Sequence, residues 1–255
     1  MAAFVFKVGA APFHFWSPDV YDGAPHAVTG FMASVVKMAA FSAFLKIFAI
    51  SFGFDELRGF WADALAILII LTLFVGNLSA LRQVRLKRLL AYSSITHVGY
   101  TLLILLSKSG FEGMNLWMYM TSYGFSIIAI VTVGMLVNDE EDRIEALKGL
   151  GKRNPFLAIV AVVSILSLAG IPPTAGFFGK YMVFSSAWND WWWLVIIALV
   201  NSAISIYYYL RLLNAVVSPA ESTEEKISVS PITLAVLTIC LAGMLLLGFI
   251  IPLLD

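Results

Sequence analysis

The run Leu168-Ala169-Gly170-Ile171-Pro172-Pro173-Thr174-Ala175-Gly176-Phe177-Phe178-Gly179-Lys180-Tyr181-Met182-Val183-Phe184 lies inside an apolar stretch that extends from Pro155 to Ala187. A helix that crosses a bilayer needs about 20 mostly apolar residues, so the stretch is too long for one straight crossing. Two consecutive prolines remove two backbone donors and clash with the preceding turn. The reading is a discontinuous helix, broken at 171–175, with a lysine one turn beyond the break. Broken helices held within protein are a mark of transporter folds.

Working outward, a partial span at about 1–13 is followed by complete candidates near 25–50, 61–80, 88–107, 114–137, 155–187, 191–213 and 231–252. Composition agrees: 60% of the 255 residues are apolar and 13% charged, with a mean hydropathy of +0.90. A soluble domain sits near 45–50% apolar with about a quarter charged, and one core does not grow to hide such an excess. Exposed irregular backbone is excluded from lipid, so the spans are helices. The fold class is all-α, a polytopic transmembrane bundle.

Composition also excludes several functions. The net charge is zero, which gives no basic surface for nucleic acid. Cys240 is the only cysteine, which excludes intrachain disulfides, zinc clusters and Cys-ligated iron–sulfur centres. His14, His26 and His97 are too scattered for a metal or haem motif, and there is no P-loop or GxGxxG before a helix. Met1 opens directly into AAFVFKVGAAPFHFW, without the basic region and cleavage site of a signal peptide. This start reads as the middle of a longer protein. The chemistry left is that of protons or ions.

The basic residues set the orientation. Arg82, Arg85, Lys87 and Arg88 share one connection; Arg143, Lys148, Lys152 and Arg153 share the connection two spans later; Arg211 and Lys226 flank the next on that side. The opposite side has only Arg58 and Lys108. The strict alternation supports the helix count, makes the basic side cytoplasmic and puts the C-terminus on the far side. Lys7, Lys37, Lys46 and Lys180 remain within spans.

An ionised lysine at mid-membrane costs about 3 kcal/mol on insertion scales and normally faces a bundle interior or a wet cavity. Lys37 sits near the centre of its span, and Lys7 and Lys180 also lie far from span ends. Lys46 is close enough to an end to snorkel and points opposite to Lys37. All carboxylates fall in connections or at span ends. A buried lysine without a carboxylate partner is a candidate for reversible protonation. Two such lysines about 10 Å apart repel by roughly 1.7 kcal/mol at an effective dielectric near 20, so protonating one helps expel a proton from the next. His97, near the centre of its span among Tyr92, Ser93, Ser94 and Thr96, can take and release protons through its two nitrogens. His14 and His26 flank the SPDVYDGAP loop, as entry-side or merely solvated residues.

Three stretches carry a family resemblance: KVGAAPFHFWSPDVYDGAPHAVTGFMASVVKMAAF (7–41), RLKRLLAYSSITHVGY (85–100) and LAGIPPTAGFFGKYMVF (168–184), with SAISIYYYLRLL (202–213) also fitting. Together they resemble the Mrp-antiporter-like membrane subunits of bacterial respiratory complex I (NADH-quinone oxidoreductase), in the subunit N branch. The PDVY of the loop favours that branch over paralogues that carry PDAH. The resemblance covers the whole chain and implies two inverted five-helix repeats, each with a broken helix and a half-channel. Here that gives one antiporter-like domain over 1–255: a partial first repeat at about 1–50, a second at about 61–213 and an extra helix at about 231–252.

The resemblance also assigns roles. Lys7 matches the lysine of the first broken helix, Lys37 the connecting lysine of the next helix, His97 a relay histidine, and Lys180 the lysine after the second break, where the M-type paralogue carries glutamate. Family members run to nearly twice this length, so the chain corresponds to a C-terminal half and lacks the glutamate that partners Lys7. The function implied is proton translocation in the inner (plasma) membrane beside other complex I membrane subunits, with the bilayer and protons as partners, no nucleic acid, and no redox centre, cofactor or metal in this chain. The other reading is a stand-alone cation/proton antiporter or membrane-bound hydrogenase subunit of the same superfamily.

Overall fold

The structure, a computed structural model, describes residues 1–219 and 226–250. The elements run α1 (Ala2–Val8), α2 (Trp16–Gly23), α3 (His26–Phe31), a π-helical turn (Met32–Val36), α4 (Lys37–Ser51), α5 (Asp55–Leu81), α6 (Leu86–Leu106), α7 (Glu112–Val137), a 3-10 turn (Ile144–Leu147), α8 (Leu150–Arg153), α9 (Pro155–Ala169), α10 (Ala175–Val217) and α11 (Pro231–Ile250). Six helical runs among the described residues are long and apolar enough to cross a membrane, and Pro155–Ala169 is a shorter apolar helix. The expected end of the last span at 252 lies outside the described residues.

The expected break is present. α9 ends at Gly170 in the left-handed conformation, φ 79°, and α10 resumes at Ala175 after Thr174. The first break is built alike. Gly9 is left-handed with φ 76°, and each glycine is followed three residues later by a proline in a cis peptide bond, Ala11–Pro12 and Pro172–Pro173. The halves of the second break cross tightly, since a Cβ on Gly176 would lie 1.8 Å from the Ser167 carbonyl oxygen. α11 backs this join: a Cβ on Gly248 would lie 2.4 Å from the Pro173 carbonyl oxygen.

α10 is not one straight rod. Lys180 Nζ lies 3.1 Å from Ser202 Oγ, whereas twenty-two residues of straight helix would separate them by about 33 Å. The chain therefore folds back at Trp191, which has non-helical φ −133° and ψ 38°. This agrees with the sequence division into spans at 155–187 and 191–213.

Backbone hydrogen bonds tie the basic connections together at one end of the bundle. Leu86 N donates to Asp142 O at 2.7 Å, Ile144 N to Val84 O at 3.0 Å, Gly149 N to Ser218 O at 2.8 Å and Ile227 N to Arg153 O at 3.3 Å. At the other end Arg58 bonds the carbonyls of Leu106 and Ser107. The alternation read from the basic residues is thus the actual division between the two ends.

α6 is the axis of the bundle and is almost entirely buried. Small residues bring its neighbour α5 close, as is usual where lipid supplies no hydrophobic drive between helices. A Cβ on Gly76 would lie 2.5 Å from Thr96 Oγ1 and 2.7 Å from Thr96 N. Asn77, fully buried, joins α5, α6 and α10: it donates to Asn201 Oδ1 at 3.0 Å and accepts from Tyr208 OH at 3.0 Å and Thr96 Oγ1 at 3.3 Å.

Gly76→Ala forces α5 off α6 and is expected to destabilise the protein by about 1–3 kcal/mol, lowering its thermal midpoint in detergent. Gly59→Ala, on the same helix with nothing within 4 Å of the added Cβ, leaves the midpoint unchanged or raises it, because alanine is the better helix former.

Candidate functional site

Three of the residues singled out in the sequence are buried along α6. Lys37 is 3% exposed, His97 4% and Lys180 4%. Lys46 is exposed, as its place near a span end predicts. Lys37 opens α4 directly after the π-helical turn at Met32–Val36. Such a turn inserts a residue into the helical repeat and re-aims the side chains that follow.

Lys37 Nζ donates to Ser94 Oγ at 2.5 Å and lies 3.3 Å from the Ser94 carbonyl oxygen. It also sits 5.7 Å from the centre of the Tyr21 ring, where the ring face attracts a cation. His97 is held on both nitrogens: Nδ1 is 2.7 Å from the Tyr119 hydroxyl and Nε2 is 3.1 Å from the Tyr209 hydroxyl. Tyr209 OH also bonds Ser93 Oγ. A neutral imidazole donates from one nitrogen and accepts at the other, and a hydroxyl does either. Both tautomers of His97 therefore find partners, and exchanging them moves a proton from one side of the ring to the other.

Lys180 Nζ donates to the Ala169 carbonyl oxygen at 2.8 Å and to Ser202 Oγ at 3.1 Å, and lies 5.2 Å from the centre of the Tyr100 ring. Ala169 is the last residue of α9, whose terminal carbonyls have no partner within their own helix. The break therefore creates the acceptor that receives the lysine. A Cβ on Gly170 would lie 2.8 Å from Lys180 Cδ, so glycine leaves room for the side chain as well as adopting the left-handed turn.

α6 links these groups. Ser94, His97 and Tyr100 recur every three residues and share a face. Lys37 meets the first and Lys180 the last, about 9 Å apart along the axis. Neither lysine has a carboxylate partner among the described residues.

Lys7 is not brought to this row. Val5 and Val8 are fully buried, and Lys7 lies on the opposite, exposed side of α1. His14 is buried with Nδ1 unpartnered, and His26 pairs with Asp142 at 3.1 Å; neither touches the row. Tyr119 and Tyr209, which hold His97, are not among the residues expected from the sequence. Tyr119, Ser122, Tyr123 and Ser126 follow one another at helical spacing on α7, a polar stripe in an apolar span that periodicity could have found.

A family model described as NADH:quinone oxidoreductase/Mrp antiporter, TM, matches residues 1–205. The chain is 42% identical over 256 residues to NADH-quinone oxidoreductase subunit N of Trichlorobacter lovleyi, covering 98% of this chain and 52% of that protein. A chain of respiratory complex I from Thermus thermophilus, solved with bound aureothin, superposes with a TM-score of 0.84 at 39% identity, over 96% of this chain and 54% of that one. A chain of the Mrp complex from Dietzia has the same fold, with a TM-score of 0.78 at 24% identity over 91% of this chain and 43% of that one. The chain spans about half the length of the curated relatives it matches. With the broken helices and the buried lysines in place, it belongs to the NADH:quinone oxidoreductase/Mrp antiporter family of membrane subunits, and its relatives are of the subunit N type.

Proposed function

We propose that the chain works as a proton-translocating membrane-arm subunit of an NADH-quinone oxidoreductase, in the inner (plasma) membrane of a bacterium and packed against other membrane subunits of the complex. It carries no redox centre or cofactor, and its part in the enzyme is translocation. The observation that supports this reading is the buried row from Lys37 past His97 to Lys180, with hydroxyl groups between the titratable ones. A stand-alone antiporter has the shared family model and likeness of fold in its favour, but the relatives at about 40% identity are subunit N proteins.

A proton on the Lys37 ammonium has Ser94 Oγ as its first acceptor. Ser94 and His97 are neighbours one turn apart on α6, a separation that one bridging water closes. His97 takes the proton at one nitrogen and releases it at the other, each exchange passing through the hydroxyl that bonds that nitrogen, Tyr119 at Nδ1 and Tyr209 at Nε2. The Tyr100 ring and Ser202 stand at the Lys180 end. A charge on one lysine disfavours a charge on the other, so loading Lys37 promotes release from Lys180. Lys7, at the first break, serves the upstream part of the same path.

Two predictions follow from this arrangement, both measured as quinone reductase activity together with proton uptake in vesicles carrying the assembled complex. Lys37→Met keeps most of the side-chain length and removes the amine; it is expected to cut proton uptake per quinone reduced by about tenfold or more with the complex still assembled. Lys37→Arg fails to restore it, because guanidinium does not release its proton, while Lys46→Gln is silent. Wild-type uptake by both Lys37 variants eliminates the role.

Ser94→Ala removes the hydroxyl that Lys37 bonds and leaves only the longer carbonyl contact. The loss of a hydrogen bond to a charged group, about 1.5–3 kcal/mol, is expected to slow uptake by at least tenfold. Ser94→Thr, which restores a hydroxyl, recovers part of it. An unchanged rate in Ser94→Ala removes Ser94 from the path.

A further inference from the structure

At the basic end of the bundle a groove of about 700 Å³ opens between the 82–85 connection, the 139–148 connection and the end of α10. Its wall carries four cations, Arg85, Arg143, Lys148 and Arg211, against two carboxylates, Glu141 and Glu145. We propose that this groove binds the phosphate headgroup of an anionic phospholipid of the cytoplasmic leaflet.

The first argument is the arrangement of charge. Arg85 and Arg143 face each other across an isolated antiparallel bridge, a pairing that places like charges side by side and is unfavourable by itself. Arg85 is met by Asp22 at 2.7 Å and Arg143 by Glu141. The other two cations have no such partner among the described residues. Arg211 donates to the carbonyl oxygens of Leu81, at 3.1 Å, and Gln83, which leave its charge uncompensated. Lys148 is half-buried, and its ammonium has no hydrogen bond or ion pair among the described residues. Two cations without counter-ions among the described residues, at the mouth of one groove, form a site for an anion.

The second argument is position. The groove lies at the end where the basic connections gather, the level of the cytoplasmic headgroups. Basic pockets between helices at this level suit lipid phosphates. From Arg211 an exposed apolar strip runs along α10 into the membrane through Leu210, Tyr207 and Val200, which are 48%, 64% and 51% exposed. Val84, 68% exposed, borders the mouth. A headgroup seated on Lys148 and Arg211 thus has a surface for its acyl chains, which a free phosphate ion does not use. The site is separate from the Lys37–Lys180 row, so it stands or falls independently of the translocation reading.

The test uses the full chain in neutral detergent, with the thermal midpoint followed as ligand is added, since a ligand that binds the native state raises it. Phosphatidylglycerol is expected to raise the midpoint saturably. Phosphatidylcholine with the same acyl chains, and inorganic phosphate at the same concentration, are expected to have little effect. Lys148→Gln should weaken the phosphatidylglycerol response by about fivefold while leaving the lipid-free midpoint unchanged, because the Lys148 ammonium has no partner among the described residues to lose. Lys152→Gln, on the same connection but outside the groove, should leave the response intact. Equal responses to the two lipids, or a wild-type response in Lys148→Gln, overturns the proposal. Inorganic phosphate matching phosphatidylglycerol shows a free-anion site and overturns the lipid assignment.

Discussion

The contact between the Lys180 ammonium and the Ala169 carbonyl oxygen, 2.8 Å long, is the point on which the second half of the molecule turns. Interrupting a helix inside a membrane frees backbone carbonyls that water cannot reach, and each such group is costly unless something bonds it. Burying a lysine in the same place is costly for the mirrored reason. Each expense is met by the other's cause. The negative end of α9 and the cation attract each other, and Ser202 and the Tyr100 ring complete the surroundings.

From this contact the other features follow in order. The lysine can reach the end of α9 only if residue 170 lacks a side chain and the chain resumes at once, hence the left-handed Gly170 and the close crossing at Gly176. It can reach Ser202 only because the chain reverses at Trp191. The reversal presents Tyr208 and Tyr209 to α5 and α6, where one bonds Asn77 of α5 and the other His97 of α6. A single polar seam therefore runs through the contacts among α5, α6, α7 and α10.

Much of this was legible in the sequence. The double proline marked the break, the spacing of Lys37 and Lys46 separated an inward lysine from an outward one, and the alternation of basic connections sorted the ends. What could not be read had physical reasons. A π-helical turn at Met32–Val36 leaves no mark in composition, because an inserted residue changes direction and not hydropathy. Tyr207, Tyr208 and Tyr209 are identical letters, yet the first is exposed and the other two buried; only the packing of α10 distinguishes them. The inward placement expected of Lys7 depends on what covers α1, and in this chain Val5 and Val8 take the buried side.

The shortness of α9 has a consequence for how the protein is made. Its fifteen residues are about 22 Å long, less than the roughly 30 Å of hydrocarbon in a bilayer, and the stretch from Ala175 to the reversal at Trp191 is of similar length. Neither segment can complete a crossing by itself, and the join between them has no lipid-facing solution. During synthesis this region cannot enter lipid one segment at a time as a simple crossing can. It becomes a stable span only when α6, α7 and the returning half of α10 are beside it to receive Lys180, so insertion and tertiary folding are here a single event.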